Sequence, residues 1–250
     1  MRNVDLSVNF AGVTLKNPVV TVSGTCGFGE EYSPYYRPEQ LGAIAVKGMT
    51  LAPRLGNPPP RIAETPSGIL NSIGLQNPGV EAFIENELPR LKKDGATVIA
   101  NIAGSTISDY CRVAEKLSDT DVDFIEMNIS CPNVKEGGVA FGTNPKTVNE
   151  ITNAVKIHTS KPLIVKLSPN VTDITETARA AEAGGANALS LINTLLGMRV
   201  DIKTKRPILH NNCGGLSGPA VFPVAVRMVW QVRNAVSLPI LGMGGISSAE

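Results

Sequence analysis

Residues 97–129 read TVIANIAGSTISDYCRVAEKLSDTDVDFIEMNI. The two ends of this stretch, 97–102 and 124–129, are nearly continuous runs of Val, Ile, Ala, Met and Phe, as expected of parallel strands covered on both faces. Between them, 106–117 carries an amphipathic helical pattern. Strand, helix and strand follow without a break, and the alternation continues in both directions. After an opening hairpin (8–10, a turn at Ala11-Gly12, 13–15), strands are predicted at 19–23, 43–47, 97–102, 124–129, 163–167, 188–192 and 238–242. Helices are predicted at 80–93, 106–117, 144–158, 172–183 and 219–235, with Pro89 kinking or splitting the first. This pattern predicts an α/β fold with a parallel sheet, and seven strands point to a (β/α)8 TIM barrel. A doubly wound sheet is the main rival, but no GxGxxG follows the first strand. The last residues, Ser247-Ser248-Ala249-Glu250, read like an N-cap and first helical turn, so the final βα unit is expected to be missing from a single barrel domain spanning 1–250.

Composition excludes several function classes. Lys+Arg 23 against Asp+Glu 22 leaves a net charge of +1, without the basic footprint that drives nucleic-acid binding. Charged residues make up 18% and hydrophobic residues 42%, which disfavours disorder and coiled coil. No apolar run approaches the roughly 20 residues of a membrane span. Asp5 and Asn9 interrupt any signal-peptide core, so a cytoplasmic location is expected. Cys26, Cys111, Cys131 and Cys213 form no CxxC pair, and there is no HxH or HExxH, so no metal site and no disulfide are expected.

A barrel carries its chemistry at the C-terminal ends of its strands. There the sequence places Ser23-Gly24, Lys47-Gly48, Asn101, Asn128 with Ser130-Cys131-Pro132-Asn133, Lys166, Asn193-Thr194 and Gly244-Gly245. A single Asn there reads equally as a cap or turn residue. Several together present donors and acceptors that suit a planar ligand edged with C=O and N–H groups, such as a pyrimidine or a flavin. Gly215, Gly218, Gly242, Gly244 and Gly245 are expected in the loops after the sixth and seventh strands, where they serve as tight turns or bring backbone N–H groups close to a phosphate. Cys131 is the candidate general base, in a loop whose Gly137, Gly138 and Gly142 let it fold over a substrate. The other cysteines read as small buried hydrophobes. Lys47 and Lys166 end apolar strands, where each suits an anion, a reduced flavin or a Schiff base. His158 reads as a contact to a helix C-terminus, and Lys203, Lys205 and Arg206 as a solvated loop. Asn57 to Arg61 reads as a stiff connection in a long, functional loop.

Lys47-Gly48, the run Asn71 to Gly79 (NSIGLQNPG), Asn128 to Asn133 (NISCPN), Lys166 to Pro169 (KLSP) and Gly242 to Gly245 (GMGG) together resemble class 1 dihydroorotate dehydrogenases. The segment Ser23 to Gly29 (SGTCGFG) is most similar to the class 1B catalytic subunit. The resemblance implies an FMN-binding barrel that oxidises dihydroorotate to orotate in pyrimidine synthesis. Cys131 would take a proton from C5 of the ring while hydride leaves C6 for the flavin. It implies substrate contacts from Lys47, Asn71, Ser72, Ile73, Gly74, Leu75, Asn128, Asn133, Asn193 and Thr194. FMN would be held by Ser23, Gly24, Lys47, Gly48, Asn101, Asn128, Lys166, Ile192, Gly218, Gly244 and Gly245. Class 1B further implies a partner subunit that carries FAD and a 2Fe-2S cluster and passes electrons to NAD, in a hetero-oligomer built on a homodimer. The alternatives are a fumarate-dependent class 1A enzyme, a dihydropyrimidine dehydrogenase-like flavoenzyme, a Schiff-base aldolase using Lys47 or Lys166, and a non-catalytic phosphate-binding barrel.

Overall fold

The computed structural model describes residues 4–130 and 141–249. Six parallel strands lie side by side in sequence order: Ile44–Ala45, Val98–Ile102, Phe124–Asn128, Leu163–Lys166, Ala188–Leu191 and Ile240–Gly242. Each neighbour pairs in parallel. The segment predicted as the first strand makes only a parallel bridge, Val20 to Ala43. Unreversed sequential order is the winding of a (β/α)8 barrel, whereas a doubly wound sheet reverses at a switch point. The α/β barrel architecture is therefore as expected.

The strands are less uniformly apolar than they read, and their two-residue period divides the core. Val98, Ala100, Ile102, Ile125, Met127, Leu163, Val165, Leu189 and Leu191 join the large cluster that includes the helix residues Val113, Leu117, Ile151 and Ala178. The alternate positions Ala45, Ile99, Phe124, Ile164 and Ala188 form a second cluster with Phe10 and Leu15. Those two residues belong to the opening hairpin, Val8–Phe10 paired with Val13–Leu15, which therefore closes the N-terminal end of the barrel. The rings of Phe10 and Phe124 meet with centroids 5.7 Å apart.

Helix starts follow their capping chemistry. Thr106 caps Ile107–Ser118 in a reciprocal box with Asp109. Asn144 caps Pro145–Lys156, and Asp173 caps Ile174–Ala183. Ahead of Pro89 the first crossover widens into a π-helical turn, Phe83–Glu87, between Val80–Ala82 and Leu88–Lys93, so the expected disruption is accommodated rather than ending the helix.

One element was not anticipated. Leu195–Met198, Cys213–Ser217, Gly68–Asn71 and Ile62–Thr65 form a four-stranded antiparallel sheet. It begins one residue past Asn193-Thr194, at the end of the sixth predicted strand. Gly242, also expected in a loop, ends the parallel strand Ile240–Gly242. The antiparallel sheet corrects the placement of Gly215, which lies in its strand Cys213–Ser217 rather than a loop. The physical reason is close approach. A Cβ on Gly214 would stand 2.6 Å from the Asn71 carbonyl oxygen, and one on Gly68 would stand 2.1 Å from that of Ser217.

Candidate active site

The polar residues predicted at strand ends meet one another there. Asn128 Oδ1, at the end of its strand, accepts from Asn193 Nδ2 at 3.0 Å and from the Ser130 amide at 3.2 Å. The Tyr110 hydroxyl, on the preceding helix Ile107–Ser118, donates to the Asn128 carbonyl at 2.7 Å and fixes that strand end. Asn193 Oδ1 accepts from the Thr194 amide. Thr194 Oγ1 occupies the space a Cβ on Gly215 would need, at 2.1 Å. Gly215 pairs with Asn71, whose Nδ2 reaches its carbonyl at 3.4 Å.

The loop after Asn71 is clamped from outside the predicted set. The Asn57 amide donates to the Ile73 carbonyl at 2.9 Å, and its Nδ2 donates to the Ser72 carbonyl at 2.8 Å. Gly74 and Leu75 both turn through positive φ, at 76° and 57°, which folds Leu75 back toward the barrel. Asn101 Oδ1 crowds the position a Gly48 Cβ would take, at 2.7 Å, and Leu75 Cδ2 lies in contact with it at 3.8 Å. Lys47 Nζ lies 3.4 Å from the position a Cβ on Gly24 would take. Ser23 is half-buried just before it.

A second cluster forms where the last two parallel strands end. A Cβ on Gly245 would meet the Gly218 carbonyl oxygen at 2.7 Å, and one on Gly244 would meet Ile192 at 3.2 Å. All three glycines have φ between 75° and 118°. Among the described residues the amides of Gly244 and Gly245 donate to no carbonyl. Exposed amides at glycine turns of this kind suit an anion.

Cys131 and Asn133 lie outside the described residues. Burial pushes the thiols of Cys26 and Cys111 up from their ordinary value, as expected of inert core cysteines. Lys203, Lys205 and Arg206 are exposed around the turn between Val200–Asp201 and Arg206–Pro207.

Asn101 and Lys166, named from the sequence, belong to a buried polar layer whose other members, Glu126 and Ser190, were not. Two residues beyond the apolar floor, the strands carry Asn101, Glu126, Lys166 and Ser190, all buried. Glu126 has zero exposure, accepting from Asn101 Nδ2 at 2.5 Å and from Ser190 Oγ at 2.6 Å. The detectable signal was polar residues at every second position of otherwise apolar strands, as in Ile99, Asn101 and Phe124, Glu126, Asn128.

Fold and rim together define an α/β-barrel enzyme whose mouth offers amides and lysines beside an anion-accepting glycine cluster. Comparison with known proteins narrows that class. The family model described as dihydroorotate dehydrogenase matches residues 5–250. A protein of Alkaliphilus oremlandii named dihydroorotate dehydrogenase B (NAD(+)), catalytic subunit, is 61% identical over 250 residues, covering 100% of this chain and 83% of that protein. The like-named protein of Lachnoclostridium phytofermentans is 58% identical over 247 residues, covering 99% and 82%. A crystal structure of DHODH from Eimeria tenella in complex with ferulenol shares the fold, with a TM-score of 0.73 at 22% identity, over 98% of this chain and 74% of that one. The chain belongs to the dihydroorotate dehydrogenase family. Among the described residues no helix is long and apolar enough to cross a membrane.

Enzymes of this family depend on a flavin, generally FMN. Three features of the rim fit it. Asn101 Oδ1 is a buried side-chain atom with no hydrogen-bond partner among the described residues. Gly48 leaves a side-chain-free face against Asn101. The glycine amides near Gly218 and Gly244 suit a phosphate.

Proposed function

We propose that this chain is the FMN-binding catalytic subunit of a class 1B dihydroorotate dehydrogenase, a single barrel domain that oxidises dihydroorotate to orotate in pyrimidine synthesis. The observation that carries the reading is the linked rim of amides, in which Asn128 holds Asn193, Asn193 holds Thr194, and Thr194 packs on Gly215 beside Asn71. That rim lies within a chain 61% identical to a relative named for the activity. Asn71, Asn128, Asn133 and Asn193 bind the ring's C=O and N–H edges, and Lys47 balances the substrate carboxylate. Ser72, Ile73, Gly74, Leu75 and Thr194 shape the remaining wall. Cys131 takes the C5 proton as general base. Ser23, Gly24, Lys47, Gly48, Asn101, Asn128 and Lys166 border the flavin ring, while Ile192, Gly218, Gly244 and Gly245 hold its ribityl phosphate. FMN, when bound, supplies the acceptor for the hydride from C6.

The reading includes a partner subunit with FAD and a 2Fe-2S cluster that delivers electrons to NAD, in a hetero-oligomer built on a homodimer. The names of the relatives support that partner over fumarate as acceptor. It also includes a cytoplasmic location, where the free thiols of Cys26, Cys111 and Cys213 stay reduced.

The test is anaerobic reduction of the FMN-loaded protein, followed by loss of flavin absorbance. Dihydroorotate bleaches the wild type, and dihydrouracil, which lacks the carboxylate, does not. Cys131→Ala retains FMN and is slowed by about 10²–10⁴-fold, the usual contribution of a general base. A Cys131→Ala variant reduced at the wild-type rate, or bleaching by dihydrouracil alone, overturns the reading.

A further inference from the structure

We infer that Glu126 is a positioning residue for the flavin, acting through Asn101, with Ser190 holding it in place. The inference rests on the FMN reading above and deepens it. Barrel interiors are normally filled by layers of branched apolar side chains, and the floor of this one follows that rule with Ala45, Ile99, Phe124, Ile164 and Ala188. One layer nearer the mouth it breaks the rule with a carboxylate of zero exposure. Burying such a group is expensive unless its oxygens are satisfied, and a well-packed apolar side chain would stabilise the fold at least as well.

The geometry shows what this carboxylate does. Its Oε2 accepts from Asn101 Nδ2 at 2.5 Å, and its Oε1 accepts from Ser190 Oγ at 2.6 Å. A carboxylate oxygen that accepts selects the nitrogen of the Asn101 amide, so the amide oxygen must point the other way. Asn101 Oδ1 is buried and without a partner, and it faces the bare Cα of Gly48, 2.7 Å from where a Cβ would stand. An orphaned buried acceptor is costly, so its orientation makes sense when an N–H donor arrives. Glu126 therefore presents Asn101 Oδ1 as a fixed acceptor for an N–H on the flavin ring. Without it no partner below fixes which end of the amide faces Gly48.

The experiment compares Glu126→Gln, Asn101→Ala, the double variant and Ser190→Ala with the wild type. FMN affinity is read by fluorescence titration of the apoprotein, together with the absorption spectrum and reduction potential of bound flavin. Glu126→Gln keeps the shape but can donate to Asn101 Oδ1 and let the amide turn. It is expected to weaken FMN by about 10-fold, or ~1.4 kcal/mol, and to shift the spectrum and potential. The double variant is expected to be no weaker than Asn101→Ala, because Glu126 acts through that residue. Wild-type affinity and spectrum in Glu126→Gln, with both altered in Asn101→Ala, overturn the inference and leave the FMN reading standing. A wild-type protein that binds no FMN overturns both. Should Glu126→Gln lose its helical circular dichroism, Ser190→Ala decides. It frees Oε1 without touching Asn101, and an unchanged flavin spectrum there overturns the inference.

Discussion

Gly48 is wedged between two side chains whose positions are set elsewhere. Asn101 is anchored below by Glu126, and Leu75 is folded in by the positive φ of Gly74 and of Leu75 itself. A methyl group at position 48 would stand 2.7 Å from Asn101 Oδ1, whose amide is held by Glu126. Overpacking of this kind typically costs about 1–3 kcal/mol. Here it falls on the face assigned to the flavin, so Gly48→Ala is expected to weaken FMN by about 10-fold or more in the fluorescence titration, alongside a fall of a few degrees in melting temperature. A variant with wild-type affinity would remove Gly48 from the flavin face. At this scale much of the site was legible, because Lys47, Asn101, Asn128 and Lys166 are polar interruptions at the ends of apolar runs. Glu126 and Ser190 were not, because each sits inside a strand, where a run reads as apolar by its average and the two-residue alternation is diluted.

Elements with local signals were legible to within a few residues. Thr106 and Asp109 announce the helix Ile107–Ser118, and their reciprocal hydrogen bonds carry a measurable share of it. Thr106→Ala is expected to lower stability by about 1 kcal/mol in chemical denaturation. The antiparallel sheet had no such signal. Beyond the local hairpin of Ile62–Thr65 with Gly68–Asn71, its pairs join separate parts of the chain, Asn71 with Gly215 and Leu195 with Leu216, and its glycines are there for contact rather than propensity. Glu182 shows how elements are joined. Its Oε1 accepts from both Ser237 Oγ at 2.7 Å and the Ser237 amide at 2.9 Å, tying the helix Ile174–Ala183 to the approach of the last strand. The hydrogen bond from the Ser237 side chain, then that from its amide, holds the Glu182 carboxyl below its ordinary value. A folded-state value depressed in this way contributes stability above the unfolded value of about 4.3, and the contribution is lost as pH falls through the folded value. Melting temperatures taken from pH 7 down to acid are expected to fall more steeply for the wild type than for Glu182→Gln. Parallel curves would mean that the link carries no stability.

Across the whole molecule the barrel interior is divided by depth, and the two halves should fail differently. The floor, where Phe10 packs on Phe124 among Ala45, Ile99, Ile164 and Ala188, contains none of the residues assigned to substrate or flavin. The layer above it is polar and is coupled to the rim through Asn101. Removing a buried aromatic ring typically costs about 3–5 kcal/mol, through lost transfer energy and the cavity left behind. Phe10 is supplied by a hairpin whose two strands pair with each other and which packs on the floor through Phe10 and Leu15, at the opposite end of the strands from the site. Phe10→Ala is therefore expected to lose stability on that scale while its folded fraction keeps the wild-type flavin spectrum and dihydroorotate reduction rate. Glu126→Gln should do the reverse, altering the flavin with a smaller effect on unfolding. Denaturation curves and flavin spectra of the two variants, measured side by side, check the division. If Phe10→Ala perturbs the flavin as strongly as Glu126→Gln does, floor and mouth are a single mechanical unit, and the separation of stability from chemistry along the barrel axis is wrong.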